Sequence, residues 1–194
     1  NDMNLNIKFI LINKHQRGPL KTIESGLEGL RSLIKIDEKI FIIYSDIVWQ
    51  WNLKKVLNFV KKKDYVVFTH KNFHPHLEIN TKADFCKLNN DNLITDVKKK
   101  SLFEKDYKKN NLAIGIYFFK DFISIKKILE NNKIFKSSSE YYLIDLIKMI
   151  LKNKLKVYTY SVDKFAHLGF PEQYEDFIKW SNYFKNEKLN TKKE

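Results

Sequence analysis

Three groups of residues in this 194-residue chain carry side chains suited to chemistry. The first is Asp46, which ends the run Ile40-Phe41-Ile42-Ile43-Tyr44-Ser45-Asp46 and precedes Trp49 and Trp51. A nearly unbroken apolar segment of this kind predicts a strand buried on both faces, and in open α/β sheets ligands bind where such strands end. A carboxylate there can hold Mg²⁺, which takes one or two carboxylates and completes its shell with phosphate oxygens and water. Asp is also a favoured N-cap, so capping of a following helix is the competing reading. The second group is His74-Pro75-His76. Its two imidazoles could take zinc or contact a phosphate, although no further ligands stand at a recognised zinc-site spacing. The third group is lysine, in Lys61-Lys62-Lys63, Lys98-Lys99-Lys100, Lys108-Lys109 and Lys192-Lys193, within a formal net charge of +13. That balance asks for an acidic partner: nucleic acid, a membrane surface or a phosphorylated small molecule. The lysines are scattered and no nucleic-acid motif accompanies them, which argues against nucleic acid.

The hydrophobic pattern supplies the elements that must position these groups. Residues 7–12, 40–44, 65–69, 112–118 and 156–160 read as strands, and 83–88 with 93–97 as a hairpin around the turn composition Asn89-Asn90-Asp91-Asn92. Apolar residues recur at helical spacing over 21–34, 53–60, 123–130, 141–151 and 171–184. Strands alternating with helices predict one α/β domain: a three-layer, Rossmann-like mixed sheet, mostly parallel, with helices on both faces. The domain is expected to span 1–184 and to be followed by a polar tail at 185–194. The 43% hydrophobic content suffices for a core. No apolar stretch approaches the ~18 residues of a membrane span, and the polar opening Asn1-Asp2-Met3-Asn4 is no secretory signal. Cys86 is the single cysteine, so no intrachain disulfide can form, which fits a cytoplasmic setting; beside Phe85 it reads as packing.

Four segments, in order, make the chain resemble the sugar-phosphate type of nucleotidyltransferase. Gly18-Pro19-Leu20-Lys21-Thr22 looks like the family's Gly-small-x-x-Thr helix opening, and Tyr44-Ser45-Asp46 is similar to its Asn-x-Asp strand end. Phe73-His74-Pro75-His76, then Lys98-Lys99-Lys100, then Gly115-Ile116-Tyr117-Phe118-Phe119 resemble a subgroup with Gly-Phe-His-Pro-His, a Glu-Lys pair and Gly-x-Tyr-Tyr-Phe. Ser139-Glu140-Tyr141-Tyr142 and Gly169-Phe170-Pro171-Glu172-Gln173 look like its Glu-Tyr-Tyr and Gly-Thr-Pro-Glu-Asp.

The resemblance implies an Mg²⁺-dependent enzyme that joins a nucleoside triphosphate to a phosphorylated acceptor and releases pyrophosphate. CTP is slightly favoured as the nucleotide, and the subgroup implies precursors of bacterial surface polysaccharide. It further implies Asp46 and Lys99 as catalytic residues, with Gly18, Thr22, Ser45 and Asp46 at the nucleotide. His74, His76, Gly115, Glu140, Tyr141 and Gly169 are implied at the acceptor, and His167 stands near the place of a second metal ligand. The expected partners are the NTP and the acceptor, with a homodimer allowed and no membrane insertion. In the residues themselves alternatives stay open: a Gly-Pro turn before an ordinary helix, a helix-capping Glu140, and a one-residue ambiguity in the lysine run. The family's glycine-rich triphosphate loop and a longer connection have no counterpart before Ile7 or between Gln16 and Arg17. Further segments are therefore expected before Asn1 and between Gln16 and Arg17. A glycosyltransferase of the same fold would need an acid where Val48 stands. An inactive ligand-binding relative and a basic nucleic-acid-binding module remain the rivals.

Overall fold

The computed structural model describes residues 7–12, 18–35, 37–72, 83–132 and 140–190. Its centre is β6 (Asn111–Phe119), nine residues of which Ile114 to Phe119 are all buried. β6 is flanked along one edge by β3 (Tyr65–His70). Its other edge is shared: β1 (Ile40–Ile43) pairs with Ile116 to Phe119, and β4 (Phe85–Leu88) pairs with Asn111 and Leu112. β5 (Ile94–Lys98) continues outward from β4, and β7 (Tyr158–Ser161) lies beyond β3. β2 (Ile47–Gln50) and β8 (Lys164–His167) form a separate two-stranded ladder.

The period of two along each strand sorts side chains between two cores. Val67, Tyr117 and Phe119 meet α1 (Pro19–Leu33), α3 (Phe122–Asn132) and α4 (Leu143–Lys152) on one face. Val66, Phe68, Ile116 and Phe118 meet Val56 and Val60 of α2 (Leu53–Val60) on the other. Phe41, Trp51 and Phe68 extend this second core as an aromatic cluster, with ring centroids 5.1 to 6.3 Å apart. Local signals set the helix starts: the Asn52 side chain accepts from the Lys55 amide at 3.0 Å, and Asp145 accepts from the Tyr142 amide at 2.9 Å. Helix α5 (Pro171–Asn190) starts with proline in its first turn, where the missing N–H costs nothing.

The mixed sheet flanked by helices agrees with the sequence pattern, but three particulars differ. Of the ladders among the described residues only β3–β7 is parallel, so the sheet is mostly antiparallel. The reason is β6, which runs against every strand that pairs with it. Residues 7–12 form no strand: they carry no regular secondary structure, with Ile7, Phe9 and Leu11 exposed, while Ile10 and Ile12 lie over Gly29 and Gly26 of α1. Apolar alternation reports what a segment can cover, and here a helix takes the place of ladder partners. The tail expected from Lys185 is helical through Asn190. The expected break between Gln16 and Arg17 lies outside the described residues, as do His74 and His76. Among the described residues no helix is long and apolar enough to cross a membrane.

Candidate active site

The two strands sharing one edge of β6 leave a fork between them, and the fork opens into a cleft of about 1110 Å³. That volume accommodates a ligand of nucleotide size. At the crotch sits Gly115, with φ +85, a region that L side chains rarely enter. A Cβ there would stand 2.8 Å from the Tyr44 ring, and the Tyr44 amide donates to the Gly115 carbonyl at 3.0 Å. Gly115 therefore lets the chain leaving β1 bend across the sheet, carrying Ser45 and Asp46 into the cleft wall. Burial raises the Tyr44 hydroxyl well above the ordinary phenol range, so it stays protonated beside the cleft.

Asp46 faces His167 because β2 and β8 pair next to them, Ile47 opposite His167. The Asp46 carbonyl accepts from the Leu168 amide at 2.8 Å, closing the same corner. Its carboxylate Oδ2 lies 3.4 Å from His167 Nε2. His167 Nδ1 donates to Gln173 Oε1 at 2.8 Å, which leaves Nε2 directed at the carboxylate. Two electron-pair donors facing each other are satisfied by a proton on the imidazole or by a cation between them. The donor set therefore fits a divalent ion: the carboxylate suits Mg²⁺, and the imidazole suits softer metals. Gly169 makes room for this pair, since a Cβ there would collide with the His167 ring and sit 2.9 Å from Asp46 Oδ2. Among the described residues no three metal-ligating side chains cluster.

The opposite wall is built by residues that flank β4, β5 and α4: Ala83 and Asp84, Lys100, and Tyr142. Lys100, in the left-handed region at φ 52, turns its side chain toward Tyr142, whose hydroxyl accepts from Nζ at 3.0 Å. That hydroxyl donates in turn to Glu140 Oε2 at 2.7 Å. Lys100 lines the cleft; Lys99 does not, because its ammonium is paired with Asp145 at 3.2 Å and donates to the Glu140 carbonyl. Of the three consecutive lysines, Lys100 is the one that lines the cleft.

Thr22, Ser45, Asp46, Gly115 and His167 come together in the cleft. Glu140, Tyr141 and Gly169 stand behind it, reaching it through Tyr142 and His167. Gly18 also stands outside. Its φ of +79 and missing Cβ admit the backbone of Tyr141, whose carbonyl takes the Leu20 amide at 3.1 Å. The amides of Lys21 and Thr22 are bonded to the Gly18 carbonyl, so the first turn of α1 has no unpaired N–H to offer an anion.

The sequence missed Asp84. It lines the cleft beside Ala113, and its carboxyl is pushed up to about 6, chiefly by burial. Oδ1 accepts the Lys100 amide at 3.1 Å, holding the lysine in its unusual backbone conformation. Nothing in the run Ala83-Asp84-Phe85 distinguishes this acid from a strand-flanking one; only the fork, formed by residues 112–115, does.

No protein-family profile matches the chain, and no curated protein sequence does. Solved structures do. A nucleoside-diphosphate-sugar pyrophosphorylase from Vibrio cholerae RC9 superposes with a TM-score of 0.68 at 14% identity, over 87% of this chain and 67% of that one. A UDP-glucose pyrophosphorylase complexed with UDP-glucose gives 0.64 at 22% identity, over 90% and 64%. An apo UDP-glucose pyrophosphorylase gives 0.62 at 20%, over 90% and 62%. The chain therefore spans roughly two thirds of the length of these proteins, and it shares their mixed α/β fold.

Proposed function

We propose that the chain is a nucleotidyltransferase that couples an NTP, with CTP favoured, to a phosphorylated small-molecule acceptor in the cytoplasm. The observation that carries the reading is the Asp46–His167 pair facing Lys100 across one cleft, at the fork of a sheet of the pyrophosphorylase type. An oxygen of the acceptor phosphate or phosphonate attacks the α-phosphorus. A new P–O bond forms there, the bond to the β-phosphate bridge breaks, and pyrophosphate leaves. Little covalent work falls to the protein, so positioning and charge do most of it.

Lys100 holds the acceptor's anionic group as a point charge, steadied by Tyr142 and Asp84. Thr22 and Ser45 border the nucleotide side of the cleft. Asp46 and His167 would hold Mg²⁺ or a similar ion, which when bound neutralises charge developing on the α-phosphate. Gly115 keeps the floor open. The role in building bacterial surface polysaccharide precursors belongs to the same reading, through the likeness of the Phe73 to His76 segment to its subgroup.

Pyrophosphate release tests it, with Mg²⁺, each of the four NTPs and a panel of phosphorylated acceptors. Release with one NTP that Asp46→Ala abolishes supports the reading. Silence across the panel, with no NTP bound by calorimetry, rejects it.

A further inference from the structure

The His167 ring has a fixed tautomer. Gln173 Oε1 can only accept, so the Nδ1 that it meets at 2.8 Å carries the proton, and the lone pair of neutral His167 lies on Nε2. The holder is itself anchored. Gln173 sits in the first turn of α5, and its amide donates to the Phe170 carbonyl at 3.1 Å. Nε2 stands 3.4 Å from Asp46 Oδ2, and the two side chains are 35% and 42% exposed at the cleft wall. A Cβ at Gly169 would lie 2.9 Å from Asp46 Oδ2 and 3.0 Å from His167 Nε2. The glycine thus leaves space beside both donors at once.

An imidazole tied through one nitrogen, with its other lone pair turned to a carboxylate, is the arrangement of a metal-ligating histidine. Two donors about 2.0 to 2.2 Å from one ion stand roughly 3 to 3.5 Å apart, so this pair can share an ion with little movement. The donor types then choose between ions. Mg²⁺ is a hard cation that takes oxygen, and a neutral nitrogen adds little to its shell. Ions of the series from Mn²⁺ to Zn²⁺ take imidazole nitrogen and carboxylate oxygen together. With two protein donors, the remaining positions fall to water and to the phosphate oxygens of a nucleotide.

Resting on the nucleotidyltransferase reading, we propose that the Asp46–His167 corner selects a divalent transition-metal ion over Mg²⁺, with Gln173 as the positioning residue that keeps His167 Nε2 free for it. Asp46 supplies the charge, His167 supplies the selectivity, and Gln173 acts through the ring.

The test is titration of the full chain with Co²⁺ alone, followed by Mg²⁺ as competitor. Binding is read from the visible absorption of Co²⁺, which changes when nitrogen enters its shell, and from the paramagnetic shifts of the five imidazoles. Half-displacement of Co²⁺ is expected to need roughly ten-fold or greater excess of Mg²⁺, with the His167 ring signals shifting most. Gln173→Leu is expected to weaken Co²⁺ binding about ten-fold or more, and Gln173→Glu, which keeps an acceptor for Nδ1, to restore it. His167→Asp is expected to lower the preference for Co²⁺ by about ten-fold or more. Equal binding of Co²⁺ and Mg²⁺ by wild type, or no binding of Co²⁺, overturns the proposal without needing a variant to fold. His167 signals that stay in place while Co²⁺ binds at another histidine overturn it too. A ratio of Co²⁺ to Mg²⁺ affinity unchanged by Gln173→Leu overturns the positioning role. Pyrophosphate release separates these results from the underlying reading. Release from an NTP without any preference for Co²⁺ keeps the transferase and removes the selective corner. Selective Co²⁺ binding at His167 without release from any NTP keeps the corner and removes the transferase.

Discussion

The two halves of β6 do different work with the same backbone. From Ile116 to Phe119 the strand lies between β1 and β3, every side chain is buried, and both cores close on it. From Asn111 to Gly115 one edge passes to β4, small residues replace large ones at 113 and 115, and the space becomes the cleft. The boundary is a single glycine. One strand can thus be a rigid support at one end and a site floor at the other, provided its neighbour changes and the crossing point carries no Cβ.

The comparison breaks most visibly at the core end. Phe118→Ala removes a fully buried ring that packs on Phe41 at 5.1 Å, and is expected to cost about 3 to 5 kcal/mol. Thermal denaturation should show it, while ligand affinity in the remaining folded protein stays near wild type. At the cleft end the stability effects are smaller and depend on pH. Asp84 is raised in the folded protein to about 6 from 3.8, so the folded state binds more protons between those values. Its contribution to stability is full below about pH 4, declines as pH rises through about 6, and is flat above. Urea denaturation of Asp84→Asn against wild type should reveal the variant gaining about 2 to 3 kcal/mol between pH 4 and 7. A difference that does not change with pH would contradict the burial argument.

Gly115→Ala tests the boundary itself. Its Cβ meets Tyr44 and its φ is positive, so the expected cost is about 1 to 3 kcal/mol. Phosphate-ligand binding should fall at least ten-fold with it, because Tyr44 must move into the cleft. The smallest effect sharpens the assignment of the lysines. Lys99→Met loses a partly exposed ion pair worth about 0 to 1 kcal/mol and changes phosphate affinity by a few-fold at most. Lys100→Met lowers it at least ten-fold. Equal losses would return Lys99 to the site.

Periodicity made most elements legible: α2 falls on residues 53–60 as read, and the hairpin, β3 and β6 shift by one or two residues. Strand direction was not legible, because an apolar run has the same pattern whichever way its partner points. β8 escaped notice: Lys164-Phe165-Ala166-His167 is short and weakly apolar, and acquires its structure only from β2. Asp46 and His167 were both legible as chemistry, yet their pairing depends on that small ladder. Gly18 carried a functional signal, and what the structure adds is a close backbone contact with Tyr141 that a side chain would obstruct. Asp84 gave no signal at all, since its character comes from burial against β6.

The central claim is that the cleft corner formed by Asp46 and His167 receives the metal of a bound nucleotide. Proton NMR of the five imidazoles during titration with Mn²⁺ and CTP tests this directly, because the paramagnetic ion broadens its nearest neighbours. The His167 ring signals are expected to broaden first, and Asp46→Asn is expected to remove the effect. Signals of His167 that stay sharp while Mn²⁺ and CTP bind would place the nucleotide's metal elsewhere and contradict it.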